Sequence, residues 1–142
     1  MEQDFKFGDF ILKVPRRDWN VSIYKENTLN ELAEFCSDTI LITVSRLSKS
    51  LTTLEDAEKA CASKNLSLSL FRTIRTSRSV VGLKVIYRNK EKPHAVREMC
   101  YIYPDLQGRF VYFRAKPIAR YPDWTEANRL VTGDLRYENK KR

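Results

Sequence analysis

The sequence predicts an α+β domain: an antiparallel β-sheet, running as a meander in its second half, flanked by helices. Three observations carry this. Strand-forming segments at about 67–75, 79–88, 95–103 and 109–116 succeed one another through short turns, and strands joined so tightly pair antiparallel. Helix-start signals stand on either side of that run, at Thr52 and at Asp123. Shorter strand patterns precede both helices.

The first elements are short strands. Phe5 and Phe7 share one parity while Phe10, Leu12 and Val14 share the other, so the change at Gly8-Asp9 marks a turn or bulge between two short strands, the second ended by Pro15. Trp19, Val21 and Ile23 alternate with Asn20, Ser22 and Tyr24, as a half-buried strand does. Thr28-Leu29-Asn30-Glu31 has capping-box spacing, and Leu29, Leu32, Ala33 and Cys36 fall on one helical face. The expectation there is a short helix or an ordered loop. Residues 39–46 form a strand with Ile40, Ile42 and Val44 on one face. Leu41 makes part of it apolar on both faces, which suits a central place in a sheet.

Thr52 and Glu55 open the clearest helix, with Leu54, Ala57, Cys61 and Ala62 as its apolar stripe and Asn65 as its stop. In the meander, Val81, Leu83, Val85 and Tyr87 alternate with Gly82, Lys84, Ile86 and Arg88. Asn89–Pro93 is a charged hairpin loop, and residues 104–108 form a longer turn ending in Gly108. Asp123 and Glu126 start a closing helix that buries Trp124, Ala127, Leu130 and Val131 and stops at Gly133. The domain is expected to span residues 1–133, with 134–142 as a mobile basic tail.

The 142 residues carry 26 Lys/Arg and 18 Asp/Glu, a net +8. Residues 1–65 hold 9 basic and 11 acidic side chains, whereas 66–142 hold 17 and 7. The excess charge therefore belongs to the meander and the C-terminal residues beyond it. Arg outnumbers Lys by 14 to 12, and Arg favours forked contacts to carboxylates, phosphates and aromatic faces. The N-terminal run Met1-Glu2-Gln3-Asp4-Phe5-Lys6 has no basic or apolar signal region, and no apolar run reaches the ~20 residues of a membrane span. Cys36, Cys61 and Cys100 are an odd set without a CxxC pair, which points to reduced, mostly buried thiols. A cytoplasmic protein is expected.

Little in the sequence speaks for catalysis. His94 is the sole histidine, in Lys92-Pro93-His94-Ala95, with no carboxylate or nucleophile beside it in sequence. A Cys100–His94 pair along one strand would stand about 20 Å apart. The four glycines are isolated, so no phosphate loop forms, and Glu55, Asp56 and Glu58 suit the start of a helix better than acid–base work. The expectation is a non-enzyme without cofactor or metal.

The order of several local patterns resembles the PsbP-like fold. These are Phe10-x-Leu12-x-Val14-Pro15 with Trp19, Ile40–Arg46, Leu51 leading into the helix at 54–64, Val80-Val81-Gly82-Leu83, Gly108–Phe113, and a late Trp124. That fold occurs in extrinsic photosystem proteins, a Ran-binding nuclear transport factor and bacterial type VI secretion effector adaptors. The resemblance, nearest to the adaptors, implies an α/β/α sandwich and a non-catalytic adaptor or chaperone whose sheet face receives apolar helices of an effector. The strongly basic second half departs from such an apolar client face and directs the expectation toward an acidic or phosphate-bearing partner.

The candidate partner-binding set combines the basic and aromatic residues of the meander: Arg72, Arg75, Arg88, Arg97, Arg109 and Arg114 with Tyr101, Tyr103 and Tyr112. Its expected partner is a protein, acidic or a secreted effector, engaged by an adaptor, chaperone or inhibitor. One alternative is a nucleic acid bound by the basic surface of residues 66–121 through phosphate pairing and base stacking; another is an immunity protein that holds a toxin, and a second copy of the chain is a further candidate partner.

Overall fold

The computed structural model describes residues 1–25, 30–62 and 65–138. Among these residues the class is α+β, with two antiparallel sheets and two helices. The chain begins with a hairpin of β1 (Glu2–Phe7) and β2 (Phe10–Pro15), whose two-residue turn holds Gly8 at φ 56°. That left-handed backbone costs glycine no Cβ clash. The short β10 (Arg136–Tyr137) pairs with the other side of β2, so the small sheet joins the two ends of the described chain.

The larger sheet has seven strands. β3 (Asn20–Ile23), β4 (Glu31–Cys36) and β5 (Ile40–Arg46) form one part. β6 (Leu66–Arg75), β7 (Val81–Asn89), β8 (Val96–Pro104) and β9 (Phe110–Pro117) form the expected meander. The spatial order is β3-β4-β5-β9-β8-β7-β6, because the connection after β5, which contains α1 (Leu54–Cys61), carries the chain to the far edge. The meander then returns until β9 lies against β5, with Val44 opposite Phe113.

Both helices start on side-chain caps. Thr53 Oγ1 accepts from Asp56 N–H at 3.1 Å, so α1 begins one residue later than the Thr52 spacing predicts. Asp123 Oδ1 accepts from Glu126 N–H at 3.0 Å and opens α2 (Trp124–Thr132), which ends with Gly133 N–H donating to Arg129 O. One face of the large sheet buries the main core against α2 and the small sheet. Phe7 meets Phe35 and Phe113 edge-on, and Tyr103 meets Phe113 at 89°. The opposite face carries a smaller core of Leu83, Val85, Tyr87, Cys100 and Ile102 beneath Ala57 and Cys61 of α1. The buried Asp9 carboxylate accepts from Leu106 N–H at 2.9 Å, which ties the first hairpin turn to the β8–β9 turn.

Two expectations are corrected. The segment with a capping box is strand β4 from Glu31 onward, not a helix, while Thr28 and Leu29 lie outside the described residues. A register shift between Glu31 and Ala33 makes Leu32 an extra residue, so both Leu32 and Ala33 are buried. A bulge of this kind imitates helical spacing. The domain also does not end at Gly133. Leu135 is fully buried, and the Tyr137 ring stacks on Phe10 at 5.3 Å while its hydroxyl donates to Pro104 O at 2.6 Å. Arg136 pairs with Asp4 and Asp134, and Glu138 with Lys6. Residues 139–142 of the predicted tail lie outside the described residues.

Candidate protein-binding edge

β6 ends the large sheet. It runs ten residues and pairs on one side with β7, with Arg72 opposite Lys84 and Arg75 opposite Val81. Residues on β6 opposite Leu83, Val85 and Tyr87 share the face that α1 covers, so Leu68, Phe71, Thr73 and Arg75 stand on that side. Leu70, Arg72 and Ile74 stand on the other. α1 packs over β7 and β8 and leaves the edge uncapped: Leu68 is 49%, Phe71 43% and Val81 38% exposed. Residues 66–80 contain Arg72, Arg75 and Arg78 and no acidic side chain. All three arginines are exposed.

The nine candidate residues separate into distinct roles. Arg72 and Arg75 sit exposed on β6. Arg88 and Arg97 lie near the other end of the ladder, about 23 Å from the Arg75 end for seven strand residues. Arg88 donates to Ser69 Oγ at 2.8 Å and to His94 O at 3.1 Å. Arg97 is exposed, at a register shift between Tyr87–Glu98 and Arg88–Val96.

Arg109 is half-buried and holds the chain together, donating to Leu47 O at 2.8 Å and to Asn30 Oδ1 at 3.2 Å. Arg114 pairs with Glu98 at 2.9 Å, donates to Cys61 O at the end of α1, and lies 5.5 Å over the half-buried Tyr112 ring. A cation there complements the negative end of the helix. The structure thus places Arg72 and Arg75 on one accessible strand, on its opposite faces, and uses Arg109 and Arg114 inside the fold.

Tyr101 and Tyr103 are corrections, since both are fully buried and cannot meet a partner. β8 has a helix on each side, so both of its faces are core and strand alternation no longer separates inside from outside. Tyr101 donates to Asn128 Oδ1 at 2.7 Å and Tyr103 to Val131 O at 3.3 Å. Burial holds both phenols above their ordinary range. Lys84 donates to the same Asn128 oxygen at 2.6 Å. Burial, and then the charge of Arg72, hold its ammonium below the usual lysine range.

Leu68, Phe71 and Val81 were not predicted as site residues. For Leu68 and Phe71 the signal is an apolar content on both parities of 66–75 without an adjoining acidic residue. Elsewhere, a cavity of about 480 Å3 opens beside α2, lined among others by Lys13, Asp18, Trp19, Glu126 and Arg129; it contains none of the nine.

Two of the three free thiols are buried. Burial pushes the Cys61 thiol up to about 11 and the Cys100 thiol up to about 12, against the lowering effect of Arg114. Thiolate, not thiol, is the reactive form. A thiol reagent at mildly alkaline pH should therefore label half-buried Cys36 in the folded protein and spare Cys61 and Cys100, with all three reacting after denaturation. Equal labelling rates in the folded state would contradict this placement. His94 is exposed in the β7–β8 loop. Among the described residues no group of three or more His, Cys, Asp or Glu is placed to hold a metal, and no helix is long and apolar enough to cross a membrane.

A scan against protein-family models finds no match for this chain, and a search of curated proteins finds none either.

Proposed function

We propose that the chain is a non-catalytic protein-binding module, an adaptor, chaperone or inhibitor, that engages an acidic partner along the β6 edge. The observation that carries this reading is the pairing of three exposed arginines, without an acidic neighbour over residues 66–80, with exposed Leu68, Phe71 and Val81. Arginine and aromatic side chains beside apolar surface are the residue types that dominate protein interfaces. An antiparallel sheet with α1 on one face and α2 on the other is compatible with the PsbP-like adaptors that the sequence resembles. Burial of Tyr101 and Tyr103 leaves Phe71 as the one ring exposed along residues 66–81, which weighs against a nucleic-acid platform that stacks successive bases.

The test compares the full chain with an Arg72→Glu, Arg75→Glu variant in a pull-down from native lysate. The variant should retain its melting temperature, because exposed substitutions away from special features shift stability by about 0.5 kcal/mol or less. It should lose a stoichiometric protein partner, and partner capture by the unmodified chain should weaken with salt. Capture unaffected by the two substitutions, or no stoichiometric protein, would refute the reading. Retention of an oligonucleotide with a steep salt dependence would assign the edge to nucleic acid instead.

A further inference from the structure

We infer that β6 receives an extended acidic segment of a partner protein as an added antiparallel strand. This rests on the protein-binding reading above and specifies its mode. The backbone is the first reason. β6 is ten residues long, whereas β3 at the opposite edge has four. Among the described residues no strand pairs with the outer side of β6. An edge strand presents a row of unpaired N–H and C=O groups, and proteins blunt such edges with short strands, charged side chains, proline, bulges or a covering element; the exposed Arg72 and Arg75 guard this edge against strands that bring no acid. β6 contains no proline, and its single register shift lies between Leu68 and Leu70. From Leu70 to Arg75 the ladder is unbroken, so a straight template remains.

The side chains specify what fits. On the α1 face an incoming strand would lie alongside Phe71, Thr73 and Arg75, which favours an apolar residue beside Phe71 and an acidic one beside Arg75. On the other face it would lie alongside Leu70, Arg72 and Ile74, which favours an acidic residue beside Arg72 with apolar residues on either side of it. Arg75 and Arg78 add positive charge at one end. Cross-strand neighbours are the unit of sheet stabilisation, and opposite charges across a ladder attract while like charges repel. A second copy laid along β6 would add three more arginines in any register, with no acid between residues 66 and 80 to offset them. A nucleic acid could meet the arginines but could not continue the amide ladder. The occupant is therefore an extended segment of a different protein that combines apolar and acidic residues, bound in the manner of β-augmentation.

The experiment uses the full chain and a capped ten-residue peptide alternating Val and Glu. Binding is followed by fluorescence anisotropy, and amide hydrogen exchange of the protein is measured with and without peptide. Saturable binding is expected, with slowed exchange concentrated in residues 66–75. A Val–Lys peptide should bind at least about tenfold more weakly. A Val–Glu peptide N-methylated at alternate residues should lose binding, because it cannot extend the ladder. Three results would overturn the inference: no binding of the Val–Glu peptide, equal binding of the N-methylated peptide, or binding without protection of β6. Concentration-dependent protection of β6 without peptide would assign the edge to self-association and also overturn it. If the pull-down still yields a partner that depends on Arg72 and Arg75, protein binding stands and only strand addition falls.

Discussion

A chain that stops at Gly133 should lose its cooperative unfolding transition or melt far below the full chain. The truncation removes Leu135, which is fully buried in the main core, and Tyr137, which stacks on Phe10 and donates to Pro104 O. It also strips the outer partner from β2 and leaves Asp4 and Lys6 without Arg136 and Glu138. Burying a leucine contributes about 2–3 kcal/mol. An aromatic pair adds about 1 kcal/mol and a phenol hydrogen bond about 1 kcal/mol more. The combined loss, about 5 kcal/mol, matches the lower end of a whole domain's stability. Thermal and urea unfolding of the two chains decide the matter, and an unchanged midpoint would show that 134–138 contribute nothing to the core.

Gly82→Ala should be nearly as damaging, although it adds one methyl group. A Cβ at position 82 would lie 2.4 Å from the Ile102 carbonyl oxygen and 2.4 Å from Tyr103 Cδ1. Neither neighbour can yield easily. The carbonyl belongs to β8 inside the ladder, and the Tyr103 ring is held by its bond to Val131 O and by its edge contact with Phe113. Overpacking of a rigid core costs about 3 kcal/mol at the upper end of its usual range. For a domain of this size that lowers the melting temperature by about 10 °C. Calorimetry of the variant tests this, and a midpoint within a degree of the parent would mean that the ring moves freely.

The sequence carried the meander because its signals are local. Alternation in 79–88, charged or glycine-ended turns, and side-chain caps at Asp123 and near Thr53 are all written within a few residues. The misreadings share a different cause. Leu32 and Ala33 both turn inward at a bulge whose existence depends on pairing with β5, so their spacing resembled a helix. Leu135 and Tyr137 lie in a charged terminal stretch, and what fixes them is remote: Thr76 donates to Leu135 O, and Tyr137 pairs with β2 more than a hundred residues earlier.

The candidate site divides in the same way. Arg72 and Arg75 stood out from charge alone. That their strand is the edge depends on where the β5–β6 connection leaves the chain, which no local pattern records. Tyr101 and Tyr103 looked accessible because alternation assumes one wet face, and β8 has none.

The pairing of β5 with β9 also has a consequence during synthesis. Ile40 aligns with Pro117 and Arg46 with Val111, so the run Ile40–Val44 is translated long before β9, one of its two neighbours, exists. At ordinary translation rates, about 5–20 residues per second, those roughly 70 intervening residues leave it waiting roughly 4–14 s. A nascent chain exposing such a segment is prone to aggregate, and a ribosome-associated chaperone would find its natural target there.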